Sequence, residues 1–589
     1  MAVLLAAPIA AGLGALGVGA GTPLIITGSL AGVTVGAAAV AEVVSGVVAL
    51  GATVGASLLL NRSKKSLQPT TNTINQALPN RFVDCGRVKT GGATVYYAAP
   101  SVALCVGKVL TCAKINAIEA IMVGDYANAP AGEGVAFPVA GPWAPRVQVE
   151  YRLGSPDQPA LDLLFGTGEW TADHRLRGLA CIAEVCVQAD EKQQAKAYPN
   201  GAPNMTAIIE GAMVPDPRNP AHDLADPETW TYSDNFASVL LRWCLDIDGW
   251  GLDPDVINVA LWQQACTDSD ATVATPDGTE PRYRAWGRYT TAAERKSTLD
   301  DLLQTAGATL IEQPDGTVGL FVGRHREPTI TITAEHILEK QYERWPDALE
   351  RVDGVSARIT WEDADWQEQE VPTVWWPDAT GSDVDDLPLA WCPSPWQAQR
   401  LAKARLRRLR PDWTLTLKTD LVGLQCYGEP VVRLVIPELG IDVTFEITQQ
   451  PTLDPTDMTV SLQVRSYAAD TWTMDPSEMN AMGAVTEGGG SYGVPEPEGL
   501  ASSVSGTTTI TVTWDTVAEE SAYTSQAQWR VYSPSAGAED GWADAASVAA
   551  GTATITVPGP DSYDVRVRRV TARGTESDWA ILPEIEVAP

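Results

Sequence analysis

The residue types best suited to metal binding or nucleophilic attack are present but scattered. The four histidines, His174, His222, His325 and His336, include no pair three or four apart, so no helix face would bring two together as ligands. The nine cysteines, Cys85, Cys105, Cys112, Cys181, Cys186, Cys244, Cys266, Cys392 and Cys426, contain no C-x-x-C pair. An odd number spread along a long chain does not read as a secreted disulfide framework, so these are expected to be buried free thiols. Cys181 and Cys186 share the strand-like run Leu179–Val187, and their odd spacing puts them on opposite faces. The chain lacks G-x-S-x-G, H-E-x-x-H and G-x-x-x-x-G-K-[ST]; Gly107-Lys108 has neither the upstream glycine nor the following hydroxyl residue. Carboxylate pairs such as Asp300/Asp301 and Asp385/Asp386 are expected by composition in a chain with 74 acidic residues. The acidic loop Gly381–Asp386 lacks the ligand spacing of an EF-hand and reads as a solvated turn. Gly12-Leu13-Gly14-Ala15-Leu16-Gly17 fits a dinucleotide fingerprint, with Glu42 near the acidic position, but its flanks are low-complexity Ala/Gly on both sides, where such matches arise by chance. No catalytic, cofactor-binding or metal-binding residue stands out, and the expectation is a protein that is not an enzyme and uses no cofactor.

What does stand out is a group of cations. Arg400, Lys403, Arg405, Arg407, Arg408 and Arg410 fall on one helix, expected from about Pro395 to Arg410, in a chain whose formal net charge is −33. One reading is a solvated face above Ala398, Ala402, Leu406 and Leu409. A sharper one is a contact with an acidic neighbouring subunit. Nucleic-acid binding comes third, because so acidic a protein does not hold phosphate well overall, although DNA could slide past it.

The elements that must position these residues are mainly strands. At 589 residues the chain should hold about four domains. Apolar residues at 45% and charged residues at 20% are enough to build packed cores. Residues 1–62 are an apolar Ala/Gly-rich segment, expected to be helical, whose one charge before Arg62 is Glu42. It is too long and has the wrong flanks for a signal peptide, and reads either as a transmembrane anchor or as an apolar plug. Residues 63–145 alternate in short runs (Ala93–Ala98, Ser101–Leu110, Ala117–Val123), and 146–235 continue as a β-rich insert (Val147–Leu153, Arg177–Val187, Thr206–Met213). Residues 236–330 turn helical. One helix follows Asn235, capped by Ser233 or Asp234; a second covers Asp255–Ala265; a third starts at Thr291 with a Thr291/Glu294 capping box. The hairpin Ala308–Gln313/Thr317–Val322 follows. Residues 331–483 return to strands (Trp413–Thr419, Val431–Ile436, Val443–Thr448) around the basic helix. Residues 484–497 are a Gly/Pro linker, and 498–589 alternate throughout as a β-sandwich of about seven strands.

Two resemblances follow from particular residues. In the last module, Ile510, Val512 and Trp514, then Trp529-Arg530-Val531-Tyr532, then Tyr563-Asp564-Val565-Arg566-Val567 and Ala572–Trp579 resemble successive strands of a fibronectin type III domain. In the body, Gly211–Arg218 with Thr229–Ala237 is similar to a "DPR … W-S-D-N-P-A" pattern, with Phe236 in place of the proline. Tyr283–Gly287 leads through Glu294-Arg295 and Leu299–Ala306 to Gln313–Gly316, and Gln397–Ala402 is followed by Leu415–Leu424, Tyr427–Val432 and Leu439–Ile441. In that order, these resemble the central tail-tip, or baseplate hub, protein of long-tailed phages, the family of the lambda host-specificity protein and of gene-transfer-agent hubs.

The resemblance implies a mainly β, multidomain hub with tail-tube-like β-barrel domains and some α+β structure, a helical apolar N-terminus and a C-terminal sandwich. It implies a homotrimer that closes the distal end of the virion tail and is made in the host cytoplasm. The implied partners are the distal tail protein, other tail-tip proteins, the tape-measure protein, and a tail fibre or host receptor. Genomic DNA would pass through the lumen without specific binding, and residues 1–60 would contact the host membrane. Relatives often carry more C-terminal modules than the one here. The alternative is a membrane-anchored surface adhesin with a fibronectin module.

Overall fold

The computed structural model describes residues 70–588 apart from 77–78, 125, 140–145, 191–193, 195–196, 199–200, 346–350, 378, 380, 382, 484–496, 517–522, 534–540, 546, 572–576 and 578. The apolar N-terminal segment, its glycine motif and almost all of the 484–497 linker lie outside the described residues. Residues 67–589 cluster as one compact unit. Its structure is mainly β, in several sheets, with helices gathered in the middle of the sequence.

The first β module packs two antiparallel sheets face to face. One runs Arg87–Thr90, Met205–Ala212, Ile115–Val123, Tyr126–Asn128; the other runs Ala93–Ala98, Ala103–Thr111, Ala180–Val187, Val147–Leu153, Phe137–Pro138. Alternate residues of each meet in one core: Ile115, Ile121 and Ile209 from the first, Val147, Val149 and Ile182 from the second. The period of two separates Cys181 from Cys186 as expected. Cys186 enters this core, while Cys181 joins Leu161, Leu164 and Trp170 in a smaller one on the other face. The second sheet takes strands from both sides of position 145/146, since Ala103–Thr111 pairs with Ala180–Val187 over most of its length.

The second β module is a six-stranded sheet in the order Thr331–Thr333, Val431–Ile436, Ile441–Asp454, Thr459–Ser466, Trp413–Thr419, Ile337–Arg344. Its two end strands are joined by only three residues, Ala334–His336, so the sheet must curl until its ends approach, as an open barrel. Leu415, Leu417, Leu434, Phe445, Leu462 and Val464 fill the inside.

Four α-helices share the largest core, three of them between these modules in sequence and the fourth inside the span of the second. They are α1 (Phe236–Leu245), α2 (Val259–Asp270), α3 (Arg295–Gln304) and α4 (Pro395–Leu409). The Gly354–Trp361 strand and its parallel partner Val384–Pro388 close this core beside α4. Three helix starts differ from the sequence expectation. The α2 helix, expected over Asp255–Ala265, runs Val259–Asp270, because Pro254–Val256 forms a separate 3-10 turn and Asn258 caps the helix by accepting from the Leu261 amide. Asn235, not Ser233 or Asp234, caps α1 by accepting from the amides of Ala237 and Ser238. The α3 helix begins at Arg295 and no capping box forms, because Thr290 pairs with Phe82 and the Thr291 amide donates to the Arg81 carbonyl, which keeps that stretch extended. After α3, Gly307 takes φ +53°, and a Cβ there would lie 2.5 Å from the Trp472 ring, so the turn needs glycine both for its dihedral and for that contact.

Residues 498–588 form two four-stranded antiparallel sheets. One runs Ala501–Ser505, Thr509–Thr513, Thr552–Thr556, Ser547–Ala549; the other runs Ala543–Asp544, Tyr523–Val531, Ser562–Thr571, Ala580–Glu586. Ile510, Val512, Trp514, Ile555, Tyr563, Val565 and Val567 pack between them. The Tyr563 hydroxyl donates to the Gly559 carbonyl at 2.8 Å, a tie back to the chain four residues upstream that pins the corner between the sheets. Eight strands are described where about seven were expected.

Candidate interaction site: the arginine helix

The α4 helix exists because its signals agree. Ser394 accepts at Oγ from the amides of Trp396 and Gln397 at 3.1 and 3.2 Å, Pro395 occupies the first turn, and Ala398, Leu401, Ala402 and Leu406 recur on the face that meets the central core. Two glutamines sit on that buried side. Gln397 donates to the Arg284 and Thr305 carbonyls and accepts from the Arg284 amide, while Gln399 exchanges hydrogen bonds with the backbone of Asn480. These bonds fix the rotation of α4 against segments on either side of it in sequence.

Five of the six cations face carboxylates of the same chain. Arg400 pairs with Glu280 at 2.7 Å, Lys403 with Glu478 at 2.9 Å, Arg405 with Asp385 at 3.1 Å and Arg407 with Asp470 at 2.7 Å. Arg408 pairs with Glu446, whose other oxygen takes Arg465 at 2.7 Å. Burial acts to raise the Glu446 carboxyl, but Arg408 and Arg465 outweigh it and hold it below the ordinary carboxylate range. The partners come from five separate segments between residues 280 and 478. The helix therefore ties the central core to the open barrel, with Arg408 over the Trp472 ring at 4.3 Å and Arg407 over Trp376 at 5.0 Å. Arg410 differs. Its guanidinium lies over Trp376 at 4.6 Å, and its Nη1 is buried without a hydrogen-bond partner.

The sequence located the cations but not Gln397, Gln399, Trp376 and Trp472, which do as much to seat them. Two glutamines on an otherwise apolar helical face were the available signal. Among the described residues, no group of three or more His, Cys, Asp or Glu is placed to hold a metal ion, and no helix is long and apolar enough to cross a membrane.

No family model matches the sequence, and no curated protein matches it. Solved structures do. A chain from the virion of the native gene transfer agent particle aligns with a TM-score of 0.50 at 15% identity, covering 75% of this chain and 98% of that one. The two share a fold. The tail protein from Neisseria meningitidis MC58 aligns at 14% identity over 60% of this chain and 97% of its own, with a TM-score of 0.27. The fibronectin type-III domain of human fibronectin type III domain containing protein 3 aligns at 14% identity over 17% of this chain and 93% of its own, with a TM-score of 0.15.

Proposed function

We propose that this chain is a structural protein of a phage-type virion tail. Its place is the tail tip, where it acts as a hub: a homotrimer closes the distal end of the tail tube, joins it to tip or fibre proteins, and opens to release DNA into the host. The observation that carries this is the fold shared with a gene-transfer-agent virion chain over nearly all of that chain's length. The architecture supports it. Each chain has two β modules, so three chains would offer six tube-like units around an axis. The net charge of −33 suits a conduit that passes DNA without holding it. The α4 clamp of paired charges and stacked tryptophans suits a part that carries load.

On this reading the C-terminal sandwich, with its corner tyrosine, is a fibronectin type III module projecting from the hub. Residues 1–60 lie near the lumen beside the tape-measure protein and meet the host membrane on infection. The test is the solution mass of residues 67–589 by light scattering across a concentration series. The expected result is three times the mass of one chain; a single-chain mass at every concentration would count against a self-assembling hub.

A further inference from the structure

The open barrel ends on an edge that the described chain does not cover. Ile337–Arg344 is the last strand of the six-stranded sheet, eight residues long and without proline, and no described strand pairs with its outer side. Long bare edges are templates for pairing, and folded proteins normally shorten, bend or cover them. The side chains here add a second observation. Tyr342 lies opposite Leu415 and Lys340 opposite Leu417, and directly opposed residues share a face of the sheet. Both leucines are 1% exposed inside the barrel, yet Tyr342, on their face, is 53% exposed; Leu338, which sits at the register shift between Ile337 and Glu339 and opposes no residue, is 57% exposed. The core face of the sheet thus runs on past its own covering. Trp345, just beyond the strand, is 50% exposed as well.

A third observation is charge. Arg344 lies over Trp345 at 4.2 Å and Trp413 at 5.1 Å, and Arg410, three residues before Trp413, lies over Trp376. Neither arginine has a carboxylate partner among the described residues, whereas the other five cations of α4 each have one. Arg410, though not Arg344, borders a recess of about 300 Å³ together with Trp376, Pro411, Asp412, Trp413 and Glu446. Guanidinium planes backed by indoles are held ready for the two oxygens of a carboxylate.

We infer that this edge is a docking surface for a second copy of the chain. An extended segment of that copy pairs along Ile337–Arg344, its apolar side chains cover Leu338 and Tyr342, and its carboxylates take Arg344 and Arg410. Strand addition provides main-chain hydrogen bonds for affinity, and the two arginines select an acidic sequence. A chain of net charge −33 presents carboxylates in surplus, and the apolar strip fits a polypeptide better than a nucleic acid. The inference rests on the self-assembling reading above and adds the surface to it.

The test is sedimentation velocity on the full-length chain, with and without added salt, beside two double variants: Arg344→Glu with Arg410→Glu, and Leu338→Lys with Tyr342→Lys. Thermal melts establish that each variant folds, and Arg433→Glu, which breaks an exposed pair with Asp442 on another strand, is the control. The native chain should associate, more weakly in salt. Both double variants should need about tenfold or more protein to do so, and the control should behave as native. Unchanged association of the folded double variants would overturn the edge assignment while leaving self-assembly standing. A native chain that stays single at every concentration would overturn both. Capture of a single-stranded DNA oligonucleotide that is lost in the arginine variant, without any self-association, would overturn it in favour of nucleic acid.

Discussion

Of the nine cysteines, eight are buried and Cys112 is half-buried, and all are unpaired. Burial pushes the thiols of Cys85, Cys181, Cys266, Cys392 and Cys426 up to about 12, and raises the rest as well. Such thiols are packing groups, not nucleophiles. At mildly alkaline pH a disulfide reagent should label at most Cys112 in the folded protein and all nine on unfolding; fast labelling of several native thiols would contradict the packing. His336 shares a hydrogen bond with Asp420 at 2.9 Å, which raises the histidine pKa and lowers that of Asp420. Both are exposed enough that the contribution is small, but its sign is fixed. The histidine part is fully present below the unfolded value, about 6.5, and fades as pH rises through the folded one; the aspartate part is lost as pH falls through its lowered value. The pair therefore supports the junction of the two barrel-end strands best between about pH 4 and 6.5. Asp420→Asn should return the His336 titration, followed by NMR, to its ordinary value, and an unchanged midpoint would rule the pair out. The cysteines' fate and their split across a strand could be read from spacing alone. The His336–Asp420 pair could not, since its members are 84 residues apart.

At the scale of elements, most strands and all four described α-helices follow from local pattern. Ala93–Ala98, Val147–Leu153, Trp413–Thr419 and Val431–Ile436 coincide with alternating runs in the sequence. What local pattern could not show is competition from distant chain. Thr291 and Glu294 have the types of a capping box, yet a strand pairing with residues 82–85 holds that segment extended. The arginines of α4 look free in sequence because their carboxylates lie up to 120 residues away. Glu150 and Arg152, by contrast, are two apart on one strand and so share a face; they pair at 2.7 Å inside the first module with side chains 1% and 3% exposed, a burial that their charged types did not suggest. Arg152 also donates to the Pro159 and Ala160 carbonyls, and Glu150 accepts from the Leu163 amide, so together they anchor the loop after their strand. Removing one member leaves the other charged and buried. Arg152→Ala should cost the first module about 3 kcal/mol or more in a urea titration, and a loss below about 1 kcal/mol would mean the ion pair does not anchor it.

At the scale of the molecule, charge and architecture point the same way. Two β modules, a helical core braced by α4 and a terminal sandwich make up the described chain. The barrel edge and the two arginines, without strand or carboxylate partners among the described residues, mark one place open to contact. On the proposed reading this chain sits at the distal end of a virion tail. The most direct measurement is immunogold electron microscopy, with an antibody raised against residues 498–589, on particles released by the organism that encodes it. Gold is expected at the tail end farthest from the capsid. Gold confined to the cell envelope, with tailed particles left unlabelled, would contradict it and favour the anchored adhesin.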